Sequence, residues 1–178
     1  MKTQLIKILT ITLVLLPALV FAQSDFDKLY KKYAGKEGVT SINISPEMFK
    51  FLGNIDMSDS SEDAKDAQNV MEQLSGLKML VYETPDTKTL ENFYKEIKKA
   101  LPFDDYAELM SVNDSESDVK FLIKKTGKDR ISEMLMIVKS EDEVLVMSML
   151  GDLDMNSISE IGKSLDMKGM ENLDKIDK

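Results

Sequence analysis

The strongest constraint on the fold is a run of four short apolar segments joined by connections of hairpin length. The segments are DYAELMSV, DVKFLIKKT, RISEMLMIV and EVLVMSML, and the connections contain NDSES, GKD and SEDE. A crossover between parallel strands needs about a dozen residues or more, so connections this short allow only antiparallel neighbours. The chain from 105 to 150 therefore predicts a C-terminal four-strand antiparallel meander.

Ahead of the meander the apolar period changes from that of strands to that of helices. The clearest helix lies between Thr84 and Pro102, with an apolar stripe at Leu90, Phe93, Tyr94, Ile97 and Leu101. Shorter helices are predicted at 25–35, 46–55, 61–74 and 154–165, and strands at 39–44 and 77–83. Strand–helix units followed by a meander indicate a single α+β domain with a mostly antiparallel sheet. We expect the helices to pack on one face of that sheet.

The first residues have the order of an export signal. Lys2 and Lys7 precede an apolar run that ends in Val20-Phe21-Ala22, and a signal peptidase reads small residues three and one before the cut. The run is too short to cross a bilayer core of about 30 Å. We predict a signal peptide over 1–22, a single domain over 23–167 and a frayed tail over 168–178. A retained N-terminal membrane helix is the alternative to cleavage after Ala22.

The residue inventory excludes several classes of function. The chain has no Cys and no His, so disulfides, a lipid-bearing cysteine and most zinc and nucleophilic sites lose their usual residues. Its net charge of −9 disfavours nucleic acid and anionic lipid as partners. It has no glycine-rich phosphate loop. We therefore expect no cofactor and no catalysis, with a carboxylate enzyme that uses Asp104, Asp105 and Glu108 as an open alternative.

Methionines are concentrated in the stretch MLMIVKSEDEVLVMSM, residues 134–149. If the turn centres on Glu141 and Asp142, Met136 faces Met147 and Met134 faces Met149. Thioethers select copper(I), but methionine is also a common filler of cores. Copper sites usually include His or Cys as well, so we interpret the stripe as core or as a buried interface.

Two acidic stretches suggest a cation site without meeting its requirements. In GDLDMNS, Asp152, Asp154 and Asn156 alternate as in a calcium loop, but Ser157 and Lys163 stand where an EF-hand needs Gly and Glu. We interpret this stretch as a polar turn that caps the last helix. The acidic run 56–66 is interpreted as a solvated linker. We therefore assign no metal residues.

The hairpin at 131–150 is apolar on both sides, and this is the only positive indication of function. One side carries Met134, Met136, Leu145, Met147 and Met149. The other side carries Ile131, Leu135, Ile137, Val144 and Val146. If helices cover one side, a partner must cover the other.

We therefore predict a non-catalytic binding protein of the bacterial cell envelope, exported to the periplasm or the exterior, with outer-membrane association as a further option. The face with the methionines is the candidate interaction face, and its partner is an envelope protein or a second copy of the chain. A metal-handling protein, with a methionine copper site or an acidic-loop calcium site, is the alternative. A carboxylate enzyme is the second alternative.

Three segments resemble a family of small exported bacterial proteins known as domain of unknown function 4252. They are VTSINISPEMFKFLG, LENFYKEIKKALPFDDYAELMSVNDSESDVKFLIKKTGKDRISEMLMIV and LVMSMLGDLDMNSISEIGKSL. The resemblance extends over about residues 25–167. It implies export and one compact α+β domain, and it supplies no activity or site residue.

Overall fold

A computed structural model describes residues 24–53, 61–115 and 117–164 of the chain. The predicted signal peptide at 1–22 and the predicted tail at 168–178 lie outside the described residues. Residues 56–60 of the acidic run at 56–66 lie outside them as well, whereas 61–66 are described and lead into a helix.

The described residues form five α-helices and six strands. The helices are α1 (Asp25–Tyr33), α2 (Pro46–Gly53), α3 (Glu62–Gln73), α4 (Thr87–Ala100) and α5 (Met155–Ser164). The strands are β1 (Val39–Ile44), β2 (Leu74–Glu83), β3 (Ala107–Asn113), β4 (Asp118–Thr126), β5 (Arg130–Lys139) and β6 (Glu143–Leu153). A short 3-10 turn, Phe103–Asp105, leads into β3.

Side-chain caps fix where several helices begin. Ser24 accepts a hydrogen bond from the Asp27 amide at 3.1 Å, and Asp86 accepts one from the Lys88 amide at 3.1 Å. These caps satisfy amides that have no partner within the helix. The predicted stripe of α4 is buried, with Ile97 fully enclosed.

The six strands form one antiparallel sheet in the order β1-β2-β6-β5-β4-β3. The last four strands are neighbours in chain order, which confirms the predicted meander. The α+β class and the single antiparallel sheet are confirmed with it. The first and last strands in that order, β1 and β3, are the edges of the sheet.

Helices cover parts of both faces of the sheet. On one face, α1 and α4 pack against Leu80, Leu122, Leu135, Ile137, Val144 and Val146. On the opposite face, which we call the methionine face, Val70 of α3 and Ile158 and Ile161 of α5 pack with Met134, Met147 and Met149. The prediction that all helices lie on one face is therefore wrong. The reason is that α3 runs directly into β2 and α5 follows β6 after one residue, so their apolar stripes meet the nearer part of the methionine face.

Ile131 lies on the methionine face. The prediction that it shares a face with Leu135 and Ile137 is therefore wrong. The β5–β6 pairing shifts register between Ile131 and Glu133. Such a bulge inserts a residue and inverts the alternation of side chains beyond it. Ile131 is opposite Leu153 and is buried in the methionine-face cluster.

Candidate functional site

The methionine face carries three rows of side chains that run across all six strands. The helix-end row, nearest to α3 and α5, is Ile44, Leu77, Met149, Met134, Ile123 and Ala107. The middle row is Ile42, Met79, Met147, Met136, Phe121 and Met110. The outer row is Thr40, Val81, Leu145, Val138, Val119 and Val112. Thr40 is the one polar residue in the three rows.

Burial decreases from the helix-end row to the outer row. Met134 is 1% exposed and Ile123 is fully buried in the first of these rows. The middle row is divided, because Phe121 and Met147 are buried, whereas Met136 and Met79 are half-buried. In the outer row Val81 is buried, Val119, Val138 and Leu145 are half-buried, and Val112 is 43% exposed.

The described helices do not reach most of the outer row. In the described part of the chain, no helix residue shares a hydrophobic cluster with Val112, Val119 or Val138. Leu145 and Met136 lie at the border of the cluster that α3 and α5 form with the sheet. An apolar strip thus remains on the sheet beyond the helices.

The turns beside the outer row are acidic. Between α1 and β1 lie Lys36 and Glu37, Glu83 ends β2, and Asp114 and Asp118 flank the β3–β4 turn. The β5–β6 turn carries Glu141 and Asp142, and Lys139 and Glu143 flank it. Lys139 forms an ion pair with Glu91 of α4, and this interaction lowers the pKa of Glu91. The outer row therefore has an acidic border, which we call the acidic rim.

A groove of about 300 Å³ opens within the acidic rim, between the β3–β4 and β5–β6 turns. Its charged lining residues are Asp114, Asp118, Lys139 and Glu141. Asp118 also accepts a hydrogen bond from the Tyr94 hydroxyl at 3.2 Å. The balance of the lining charges is negative, which suits a cationic side chain.

The predicted interaction face is divided by the structure. Met136 is opposite Met147, and Met134 is opposite Met149, as the sequence predicted. Met134, Met147 and Met149 are buried beneath the helices, so they cannot contact a partner in this fold. Met136 and Leu145 border the open strip.

The GDLDMNS stretch, interpreted from the sequence as a polar turn that caps the last helix, is engaged by protein groups. Asp154 accepts a hydrogen bond from the Ser157 amide at 2.8 Å, and Asp152 accepts one from Arg130 Nε at 2.7 Å. Burial alone would raise the pKa of Asp154, but the hydrogen bonds from Ser157 and Gln73 and the charge of Arg130 outweigh it and lower that pKa. Hydrogen bonding to Arg130 likewise lowers the pKa of Asp152. This is the arrangement of a helix cap with an ion pair.

The acidic residues proposed for an enzyme do not converge. Asp105 lies 3.9 Å from Lys124, Glu108 accepts a hydrogen bond from Ser111 at 2.7 Å, and Asp104 is exposed. Within 24–53, 61–115 and 117–164, no group of three or more His, Cys, Asp or Glu residues could hold a metal ion. None of the helices in these ranges is long and apolar enough to span a membrane.

A buried carboxylate that sequence reasoning missed lies beneath α1 and α4. Glu133 is 3% exposed, and it accepts hydrogen bonds from the Tyr106 hydroxyl at 2.8 Å and from Ser148 Oγ at 2.6 Å. Burial first, and then the interaction with Glu133, raises the pKa of Tyr106 well above its usual value. The burial of Glu133 has one signal in the sequence, because this Glu lies among the apolar residues of the strand RISEMLMIV. Each carboxylate oxygen already has a donor, so Glu133 links β5 to β6 and to the segment that precedes β3.

A second cleft, of about 320 Å³, lies at the end of β1 and the start of β2. Its charged lining residues are Asp27 and Lys78, and they form an ion pair with each other. Because that pair neutralises its own charge, the cleft offers a ligand no unbalanced group. The acidic rim and the open strip are therefore the better candidate site.

Comparison with known families identifies the domain family of this chain. A family model described as "Domain of unknown function (DUF4252)" matches residues 30–161, which include all six strands. No curated protein and no solved structure matches the chain.

Proposed function

The chain belongs to the DUF4252 family, and we propose that it is an exported, non-catalytic binding protein that docks a partner protein on the outer row of its methionine face. The observation that carries this proposal is the apolar outer row, which extends across the sheet beyond the described helices. Because Thr40 is polar and Val81 is buried, the open apolar part runs from Leu145 to Val112 over four strands. With strands about 4.8 Å apart, this part is about 14 Å wide. Exposed apolar strips of this kind are typical of protein interaction sites.

The proposal is narrower than the sequence alone suggested. Covering helices remove Met134, Met147 and Met149 from the interaction face. The surface now consists of the outer row together with Met136, Met79 and Ile42 of the middle row. This smaller surface still favours a partner, because removing water from half-buried aliphatic side chains lowers the free energy.

The acidic rim indicates the chemistry of the partner. Carboxylates around an apolar strip favour a protein segment that presents apolar side chains flanked by Lys or Arg. The groove between the β3–β4 and β5–β6 turns lies at the same end of the sheet as the outer row, and we expect it to attract one of those cationic side chains. Electrostatic attraction of this kind accelerates association and weakens as salt increases.

Photo-cross-linking in intact cells tests the site. A photoreactive residue at Val138, in the outer row, should capture a discrete partner, whereas one at the exposed Asn156 of α5 should not. The captured protein is then purified and its affinity measured. Equal capture from both positions would contradict the proposal.

Substitutions then test the chemistry of binding. We expect Leu145→Lys to weaken binding at least about tenfold while the circular dichroism spectrum is kept, because a half-buried lysine can extend its ammonium group to water. Asn156→Lys adds the same charge at the other end of the sheet and should leave binding unchanged. Reversing the charge of the acidic rim with Glu141→Lys and Asp142→Lys should slow association with the partner and remove the dependence of the association rate on salt. Binding that resists all these changes would place the interface elsewhere.

Export is the second part of the proposal, and it rests on the basic, apolar and small-residue order of 1–22. N-terminal sequencing of the protein from its host should give Gln23 as the first residue. Cell fractionation should place that product in the periplasm or outside the cell. A mature protein that begins at Met1 would overturn the export proposal without affecting the binding site.

A further inference from the structure

We infer that the outer edge of β1 pairs with β1 of a second copy of the chain, which joins two sheets into one. This goes beyond the proposed partner site, because the contact is made by the backbone edge of the sheet, and of its apolar side chains only Ile42 belongs to both surfaces. Among the described residues, β1 pairs with β2 alone. An edge strand presents backbone groups that can bind another strand unless the sequence protects them.

The two edges of the sheet differ in how they are protected. β3 carries Glu108, and its pairing with β4 is irregular between Glu108 and Met110. β1 has the sequence VTSINI, without charge or proline, and its register with β2 is unbroken. Charges and bulges are the usual means of blocking edge-to-edge pairing, and β1 has neither.

The open backbone groups of β1 can be identified from its ladder. The Glu83 amide donates to the Gly38 carbonyl at 3.3 Å, and hydrogen-bonded and non-bonded pairs alternate along an antiparallel ladder. Val39, Ser41 and Asn43 therefore direct their backbone groups away from β2. The Val39 amide is already taken by the Lys36 carbonyl at 3.1 Å. Ser41 and Asn43 thus form the open part of the edge.

The open part of β1 is complementary to itself. In antiparallel pairing about a two-fold axis, Ser41 lies opposite Asn43 of the second copy, and the pair exchanges backbone hydrogen bonds in both directions. Ile42 then meets its own copy on the axis. On the face that α1 and α4 cover, the polar side chains of Ser41 and Asn43 meet those of the second copy. On the methionine face, Ile42 extends the apolar middle row into the second molecule. An isologous contact of this kind closes on itself and gives a dimer.

Exposed apolar side chains and balanced charges also favour a second copy at this edge. Of the four exposed large apolar residues among the described ones, Ile42, Met48 and Phe51 lie on β1 or on α2, which follows it. Lys36 and Glu37 precede β1, and Glu47 and Lys50 follow it. Antiparallel pairing brings the start of one β1 close to the end of the other. Lys36 and Glu37 of one copy therefore lie near Glu47 and Lys50 of the second copy, and the two pairs of charges balance. Local repulsion is therefore small despite the net charge of −9.

Sedimentation of the purified chain over a range of concentrations tests the inference. We expect a monomer–dimer equilibrium, and hydrogen exchange at the Ser41 and Asn43 amides should slow as the dimer forms. Ser41→Pro removes an outward amide, a change that an edge strand tolerates. It should raise the dimer dissociation constant at least about tenfold and leave the thermal melt of the monomer unchanged.

The other edge supplies a matched control. The Asp114 amide donates to the Ser117 carbonyl, so by the same alternation Ser111 of β3 also directs its amide outward. Ser111→Pro should leave the dimer intact. Ile42→Lys is a second test that does not alter the backbone, and it should dissociate the dimer as well. A chain that is monomeric at all concentrations, or a dimer that Ser41→Pro and Ile42→Lys leave intact, would overturn the inference.

Discussion

Met136 and Met147 are direct cross-strand partners on the methionine face, yet Met147 is only 6% exposed and Met136 is half-buried. The two residues have the same side chain, the same row and neighbouring strands. What differs is the cover from α3 and α5, which extends over Met147 and ends near Met136. The pair thus marks the border between the core and the open strip.

This border predicts unequal costs for the same substitution. We expect Met147→Ala to lower the free energy of unfolding by about 2–5 kcal/mol, since it leaves a cavity in a packed cluster. Met136→Ala should cost about 1 kcal/mol, because solvent and side chains can fill the space at a half-buried site. Urea melts of both variants measure the difference. Equal losses would mean that the helices cover both residues alike.

Connection lengths made the meander predictable from sequence. Turns this short leave only antiparallel neighbours, and the β5–β6 turn fixes the register that places Met136 opposite Met147. The apolar stripe of α4 was equally clear, because Leu90, Phe93 and Ile97 follow the helical period. These features depend on residues that are close together along the chain.

The features that the sequence did not reveal depend on distant parts of the chain. An apolar stripe on α3 or α5 shows that the helix packs on something, but not which face of the sheet it meets. The bulge that moves Ile131 to the methionine face has no signal in RISEMLMIV. The burial of Glu133 depends on Tyr106 and Ser148, which come from other segments. The interaction face was therefore predicted too wide, since its cover comes from helices far away in sequence.

We expect the stability of the fold to depend strongly on the two hydrogen bonds that buried Glu133 accepts. Glu133→Ala removes the acceptor of both Tyr106 and Ser148, and a buried donor without a partner costs about 1–3 kcal/mol. We expect Glu133→Ala to lower the free energy of unfolding by at least that much. Glu133→Gln keeps an acceptor oxygen and should cost less. Urea melts of the two variants give the order, and a reversal of it would show that the carboxyl does not hold these hydroxyls.

Alkaline pH should weaken the fold through its buried tyrosines. Burial, followed by the charge and hydrogen bond of Asp118, raises the pKa of Tyr94 to about 12. In the unfolded chain a tyrosine ionises near pH 10. The contribution of Tyr94 to stability is therefore complete below about pH 10 and is lost as the pH rises to about 12, at up to about 1.4 kcal/mol per pH unit.

Tyr94→Phe isolates that contribution. The variant cannot ionise at this position, so its stability should fall less steeply between about pH 10 and 12 than that of the unmodified chain. Part of the decline should remain, since burial also raises the pKa of Tyr33 and of Tyr106. Urea melts at several pH values measure the two slopes. Identical slopes would show that Tyr94 ionises alike in the folded and unfolded chains.

Metal titration should give no tight complex. Of the four hairpin methionines, Met134, Met147 and Met149 are packed in the core, so a copper(I) ion would have to displace α3 and α5 to reach them. At the GDLDMNS turn, which was considered for calcium, Asp152 and Asp154 are engaged by Arg130 and the Ser157 amide. We therefore expect no site for copper(I), calcium or zinc tighter than about micromolar, which corresponds to about −8 kcal/mol.

Calorimetry with each ion, under reducing conditions for copper(I), measures these affinities. The decisive variant replaces Met136 and Met147 by leucine, which nearly conserves volume and should keep the fold. If the methionines are core, the parent chain and this variant should show the same weak binding and similar stability. A tight, stoichiometric copper(I) complex in the parent that the double variant abolishes would replace the core interpretation with a thioether site. It would also show that the helix cover over Met147 opens readily, since that side chain is only 6% exposed.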